Sequence, residues 1–116
     1  MRHRNKVKTL DREKSAREML AKNLASSIII YEKVKTTSAK AKVARPLLEK
    51  AITLAKINNL ASNKRLVALL PQKLAYKKVR EVLAGRYKGR NGGYCRITRL
   101  ENRLGDGATQ VQIELV

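Results

Sequence analysis

The side chains of this chain that are able to do chemistry are mostly cations, and the densest group of them sits among glycines. In "GRYKGRNGGYCRITRLENR", residues 85–103, Arg86, Lys88, Arg90, Arg96, Arg99 and Arg103 surround Gly89, Gly92 and Gly93, and no acid occurs before Glu101. Glycine lets a backbone run close to another molecule and leaves its N–H groups exposed. A guanidinium group offers a planar fork that matches phosphate oxygens. The pair is suited to holding the phosphates of a nucleic acid rather than to making or breaking bonds. Tyr87 and Tyr94 either stack on a base or pack beneath the loop. The glycines alone would read as a flexible turn; with the cations between them, the segment reads as a nucleic-acid contact.

Two further segments carry the same chemistry. "MRHRNKVKT", residues 1–9, brings Arg2, Arg4, Lys6 and Lys8 together with almost nothing to bury. Such an arm is expected to be disordered alone, and it reads either as a solvated tail or as a segment that folds on a nucleic-acid groove. His3 reads as part of that arm, because it has no second His and no nearby Cys with which to hold a metal. Arg12 extends the basic run. In "TTSAKAK", residues 36–42, Lys40 and Lys42 stand near the start of a predicted helix. There they oppose the helix dipole and would gain from a phosphate, which the helix N-terminus also attracts. The alternative is an exposed helix face.

Bulk properties agree. The 116 residues hold 27 Lys and Arg against nine Asp and Glu, a net charge of +18. The acids are scattered, so the whole fold is basic, and it repels itself unless an anion neutralises it. Nucleic acid and an acidic membrane are the candidate anions. The lack of Trp and Phe argues against a membrane surface. "IIIY", residues 28–31, is too short for a span or a signal core. The opening is Arg-rich like an organellar transit peptide, but it lacks an amphipathic face and soon meets Asp11 and Glu13. Cys95 is alone, which excludes an intrachain disulfide and fits a reducing compartment. It reads as a small core residue. No phosphate-binding loop with its Lys-Ser/Thr, metal-ligand spacing or catalytic triad is present, so neither an enzyme, a cofactor nor a small-molecule substrate is expected.

The elements that must position these cations follow from periodicity. Asp11 is predicted to cap a helix over 12–26, with Ala16, Met19, Leu20, Leu24 and Ser27 on its stripe. The β-branched "SIIIYEKVKTT" predicts a strand, with Ile28, Ile30 and Val34 on one face. Thr37 or Ser38 caps a long helix over 39–57, with Val43, Leu47, Ala51 and Leu54 on one line and Ala44, Leu48, Ile52 and Ala55 on the next. Pro46 predicts a kink or a staggered start near residue 45. Asn58 and Asn59 predict a stop, and Ser62 a cap for a short helix ending before Pro71. A helix over 72–84 follows, with Ala75, Val79, Val82 and Leu83 inward and Gly85 as terminator. "YCRITRL" and "TQVQIELV" alternate and flank the turn "RLGDGA", which predicts a terminal hairpin. The expected fold is α+β. A small mixed sheet of about three strands is covered on one face by helices, in the order helix, strand, helices, strand, strand. A basic extension, 1–11, precedes a single globular domain, 12–116.

Read together, "MRHR", "REMLAKNLASS", "EKVKTTSAKAK", "EKAITLAK", "GRYKGRNGGYCRI", "NRLGDGA" and the closing "IELV" cover nearly the full length in order. They resemble the bacterial large-subunit ribosomal protein L17 family. The chain departs from its pattern at Ser15-Ala16-Arg17, where family members often carry Ser-His-Arg, and at Thr109-Gln110, where they often carry Pro-Met. The resemblance implies a non-enzymatic cytoplasmic protein of the large ribosomal subunit, bound to ribosomal RNA near the exit of the peptide tunnel, with ribosomal protein L32 as a neighbour. It implies RNA contact at Arg2, His3 and Arg4, at Thr36, Thr37, Lys40 and Lys42, and at Arg90, Gly92, Gly93, Tyr94 and Arg96. The alternative from another class is a free nucleic-acid-binding regulator or architectural protein, using the same charge reversibly.

Overall fold

The computed structural model describes His3 and residues 8–116. Arg2, Arg4 and Lys6 lie outside the described residues. The order of elements is α1 (Lys14–Tyr31), β1 (Lys33–Thr37), α2 (Ser38–Ile57), α3 (Leu60–Leu69), α4 (Lys73–Lys78), a π-helical turn (Val79–Leu83), a last helical turn α5 (Ala84–Arg86), then β2 (Cys95–Arg99) and β3 (Gln110–Leu115). The fold is α+β, as expected. Every strand pairing is antiparallel, in the order β1-β3-β2, so the sheet is not mixed.

The first helix differs from its prediction at both ends. Asp11 is not its cap: Glu13 holds that position, and Asp11 has a left-handed backbone, with φ +53°. At the other end the helix continues through Ile28–Tyr31, and Glu32 closes it in the left-handed conformation, its N–H donating to the Ile28 carbonyl at 2.7 Å. Strand propensity lost there to tertiary burial, because Ile28 and Ile29 are both fully buried in the helical conformation. The buried stripe is Ala21, Ala25, Ile28 and Ile29, while Ala16 and Met19 are exposed. Ala21 and Ala25 on this stripe and Ala41, Ala44, Ala51 and Ala55 on α2 are all buried, and the two helices pack against each other.

α2 follows its pattern. Ala44, Leu48, Ile52 and Ala55 are the buried line, whereas Val43 and Leu47 are half-buried. The helix runs unbroken across the exposed Pro46 and does not restart near residue 45. Asn58 ends it with φ +50°. Asn59, not Ser62, caps α3: its side chain accepts from the Ser62 N–H at 2.8 Å, and Ser62 Oγ accepts from the Asn59 N–H at 2.9 Å. This reciprocal pair is a capping box with Ser62 at its third helical position.

The next helix passes through Gly85 into Arg86, so Gly85 is not the terminator. Leu83, Val79 and Ala75 are buried as expected, but the π-helical turn rotates Val82 outward, where it is 46% exposed. The hairpin forms as expected. Val34, Ile97 and Ile113 meet in register on the inner face of the sheet, and Val111 and Cys95 complete that face of the core.

Candidate nucleic-acid interface

The loop between α5 and β2 is built on two buried tyrosines. Tyr87 and Tyr94 are each almost fully buried, their ring centroids 5.2 Å apart and tilted by 54°. The Tyr87 hydroxyl donates to the carbonyl of Val116 at 2.8 Å, and the Val116 N–H donates to the Tyr94 carbonyl at 2.9 Å. The loop is thereby tied to the end of the chain. Tyr94 packs beneath the loop and offers no free face to a base, so its contribution is to shape. Above it, Lys56 of α2 donates to the Tyr94 hydroxyl at 2.9 Å and to the Arg90 carbonyl, and its ammonium stands 5.1 Å from the Tyr94 ring centre. The Tyr94 hydroxyl also donates to the Arg90 carbonyl, at 3.2 Å. The Lys56 hydrogen bond holds the Tyr94 phenol below its ordinary pKa. Gly92 and Gly93 turn the chain at φ +104° and +61°, where a side chain would be strained.

The cations of the segment divide by partner. Arg86 bonds to Glu32, which also lies 3.4 Å from Lys78, so this guanidinium ties the last helical turn to the cap of α1. Arg103 grips Asp106 through both ends of its fork, with Nε at 3.0 Å. Arg96 lies 3.7 Å from Glu114 but remains largely exposed. Lys88, Arg90 and Arg99 are exposed and have no carboxylate partner among the described residues. Among the described residues, Lys88 and Arg90 therefore stand without a carboxylate partner, on a backbone held from below.

A second cationic corner lies where β1 passes into α2. Thr37 occupies the cap position of α2 but makes no side-chain cap, and the first turn carries no acid. The Ser38 N–H donates to the Thr109 carbonyl at 3.0 Å, and among the described residues no side chain caps the N–H groups that follow it. A hollow of about 380 Å³ opens there, lined by Lys8, Thr37, Ser38, Lys42 and Thr109 among others. Uncapped helix N–H groups with lysines beside them form a surface for phosphate. Thr36 and Lys40 flank this corner, both half-buried, and Lys42 is exposed.

Over residues 20–116 the chain matches the model of the family described as Ribosomal protein L17. The chain belongs to that family. It is 51% identical to the large ribosomal subunit protein bL17 of Sulfurihydrogenibium sp. (strain YO3AOP1), covering 100% of this chain and 97% of the relative. It is 46% identical to that of Hydrogenobaculum sp. (strain Y04AAS1), over 97% of this chain and 96% of the relative. To that of Rickettsia bellii (strain OSU 85-389) it is 41% identical, over 100% of this chain and 82% of the relative. The L17 family is a structural component of the large ribosomal subunit and not an enzyme.

Within this L17 fold the remaining expected residues fall as follows. His3 is exposed at the start of the chain, and Lys8 lines the corner hollow. Arg12 turns its guanidinium onto the Leu10 carbonyl, at 2.8 Å. Three cations outside the expected set stand beside these. Lys56, which holds the loop, lies 34 and 38 residues from its partners, and no local pattern marks it. Lys33 and Lys35 project from the outer face of the sheet, in register with Glu114 and Gln112 and, beyond them, with Arg96 and Thr98. The alternation of "KVKTT" was the signal for these two. Cys95 is buried, and burial pushes its thiol up to about 11, so it is an inert core residue. Among the described residues no helix is long and apolar enough to cross a membrane, and no group of three His, Cys, Asp or Glu side chains could hold a metal ion.

Proposed function

We propose that the chain binds ribosomal RNA of the large subunit through phosphate position and shape, using the 86–96 loop, the β1–α2 corner and the basic N-terminal segment. The observation that carries this reading is the division of charge in the loop. Buried tyrosines and Lys56 hold its backbone, while Lys88 and Arg90 stay without intramolecular carboxylates. A loop ordered in advance presents its cations without losing that freedom on binding. Phosphate contacts of this kind fix the register of folded RNA, and glycine admits its sugar–phosphate backbone. Arg96 joins the loop to the outer sheet, where Lys33 and Lys35 extend the basic surface. The protein acts in the cytoplasm, within the ribosome, and ribosomal protein L32 is its neighbour there.

The test is sedimentation of native lysate on a sucrose gradient, with the chain quantified by mass spectrometry. One copy per large subunit, retained through a moderate salt wash, is the expected result. Recovery in light or nucleoid fractions would instead identify a free nucleic-acid-binding regulator. For the isolated protein on large-subunit RNA, contact with about eight phosphates gives a log–log salt slope of about −6 to −7. A slope near about −2 is too shallow for an interface of that size.

A further inference from the structure

A second concavity, separate from the glycine loop, lies between α1 and α2. It is a groove of about 470 Å³ with an apolar floor that includes Val43, Pro46 and Leu47. Arg17, Lys22 and Lys42 stand on its rim, opposed by one carboxylate, Glu18. Lys8 and Lys42 line both this groove and the hollow at the start of α2, so the two adjoin. An apolar floor beside a cationic rim and an uncapped helix N-terminus matches one ligand chemistry: a flat, weakly polar ring carried next to a phosphate. The volume falls within the range of small-ligand sites.

We infer that this groove receives one unstacked nucleotide of the bound RNA, its base on Val43, Pro46 and Leu47 and its phosphate toward Lys42 and the start of α2. The inference rests on the ribosomal RNA reading above and names a subsite within it. Single-stranded loops and bulges splay bases out for capture of this kind, and a guanidinium plane such as that of Arg17 serves as a stacking surface. The half-buried state of Val43 and Leu47 follows as well: they fall on the apolar face of α2, yet among the described residues no element covers them fully. An acidic protein segment would also satisfy the rim, and crosslinking distinguishes it from RNA.

A benzophenone amino acid in place of Val43, in large subunits purified on a sucrose gradient, tests this. Irradiation is expected to crosslink the chain to ribosomal RNA at a single nucleotide, read as one primer-extension stop. A crosslink to a ribosomal protein, or none from subunits that contain the chain, overturns the inference and leaves the RNA reading standing. Failure of the unmodified chain to co-sediment would overturn the RNA reading itself. Should the bulky side chain alone block incorporation, Val43→Asp subunits are probed with a 2′-hydroxyl-acylating reagent, which reads all four nucleotides. One nucleotide protected in the wild type is expected to become reactive, and identical reactivity in the two overturns the groove assignment.

Discussion

Two segments of this chain, "GRNGGY" at 89–94 and "NRLGDG" at 102–107, have nearly the same ingredients, glycine and arginine in a turn, and the structure uses them in opposite ways. In the first, the backbone is held by groups beneath it, Tyr94 and Lys56, and the Arg90 side chain is left for solvent. In the second, the side chains hold the turn themselves. Arg103 grips Asp106, Asp106 accepts from the Ala108 N–H at 3.1 Å, and Leu104 is 97% exposed at the tip. A cation that organises its own loop is partly neutralised. One whose loop is organised from below remains available. Counting arginines alone does not separate Arg103, which pairs within its own turn, from Arg90, which does not, and it passes over Lys56, which holds the loop backbone.

The largest effect expected from this contrast is on stability. Tyr94→Ala removes a buried aromatic ring and the anchor of the loop, and should cost about 3–5 kcal/mol in urea unfolding. Tyr94→Phe, which loses only the hydroxyl, should cost about 1 kcal/mol. Equal costs would mean that the ring is not what supports the loop. Next in size is the effect on RNA. Lys88→Ala with Arg90→Ala should reduce the steepness of the salt slope by about 2. Arg103→Ala should change it less than Arg90→Ala does, with circular dichroism unchanged for all three variants. The reverse ranking would break the comparison.

How much of this was legible beforehand depends on the range of the interactions. The long helix was visible because its buried line, Ala44, Leu48, Ile52 and Ala55, repeats locally, and the hairpin because Val111 and Ile113 alternate with glutamines. Ile28–Tyr31 read as a strand because three isoleucines in a row satisfy strand propensity. Only the packing of α1 against α2 and α4 makes a helix the better way to bury them. Gly85 read as a stop, yet a glycine inside a helix costs only about 1 kcal/mol relative to alanine, which tertiary contacts on either side offset. The basic loop was found from composition alone. The partners that sort its cations, Glu32 for Arg86 and Lys56 for the Arg90 carbonyl, lie far away in sequence and leave no local trace.

A smaller effect separates Arg86 from the loop cations that follow it. The hydrogen bond from Arg86, with Lys78 nearby, holds the Glu32 carboxyl below its ordinary pKa. A carboxyl whose pKa is depressed in the folded state contributes stability that is full above the ordinary carboxylate range. That contribution is lost as pH falls through the folded-state value. Because Glu32 is 40% exposed, it amounts to about 1 kcal/mol or less. Urea unfolding from pH 7 down to pH 3 should therefore show an acid limb that Glu32→Gln makes shallower. If the limb is unchanged in that variant, the Arg86 pair adds nothing, and Arg86 belongs with the cations free to meet RNA.

The smallest effect is the sharpest test of the contrast. The Arg103 guanidinium and the Ala108 N–H hold the Asp106 carboxyl far below the usual carboxylate range. Asp106→Asn keeps an oxygen for the Ala108 N–H, so the turn survives, but it removes the charge that Arg103 grips. If self-neutralisation is what withholds Arg103, the variant releases one more cation to the RNA. Binding should then tighten, with a salt slope steeper by about 0.7–0.9 and an unchanged circular dichroism spectrum. An unchanged slope would show that this end of the hairpin points away from the RNA. The two segments would then differ in where they face and not only in how they are held.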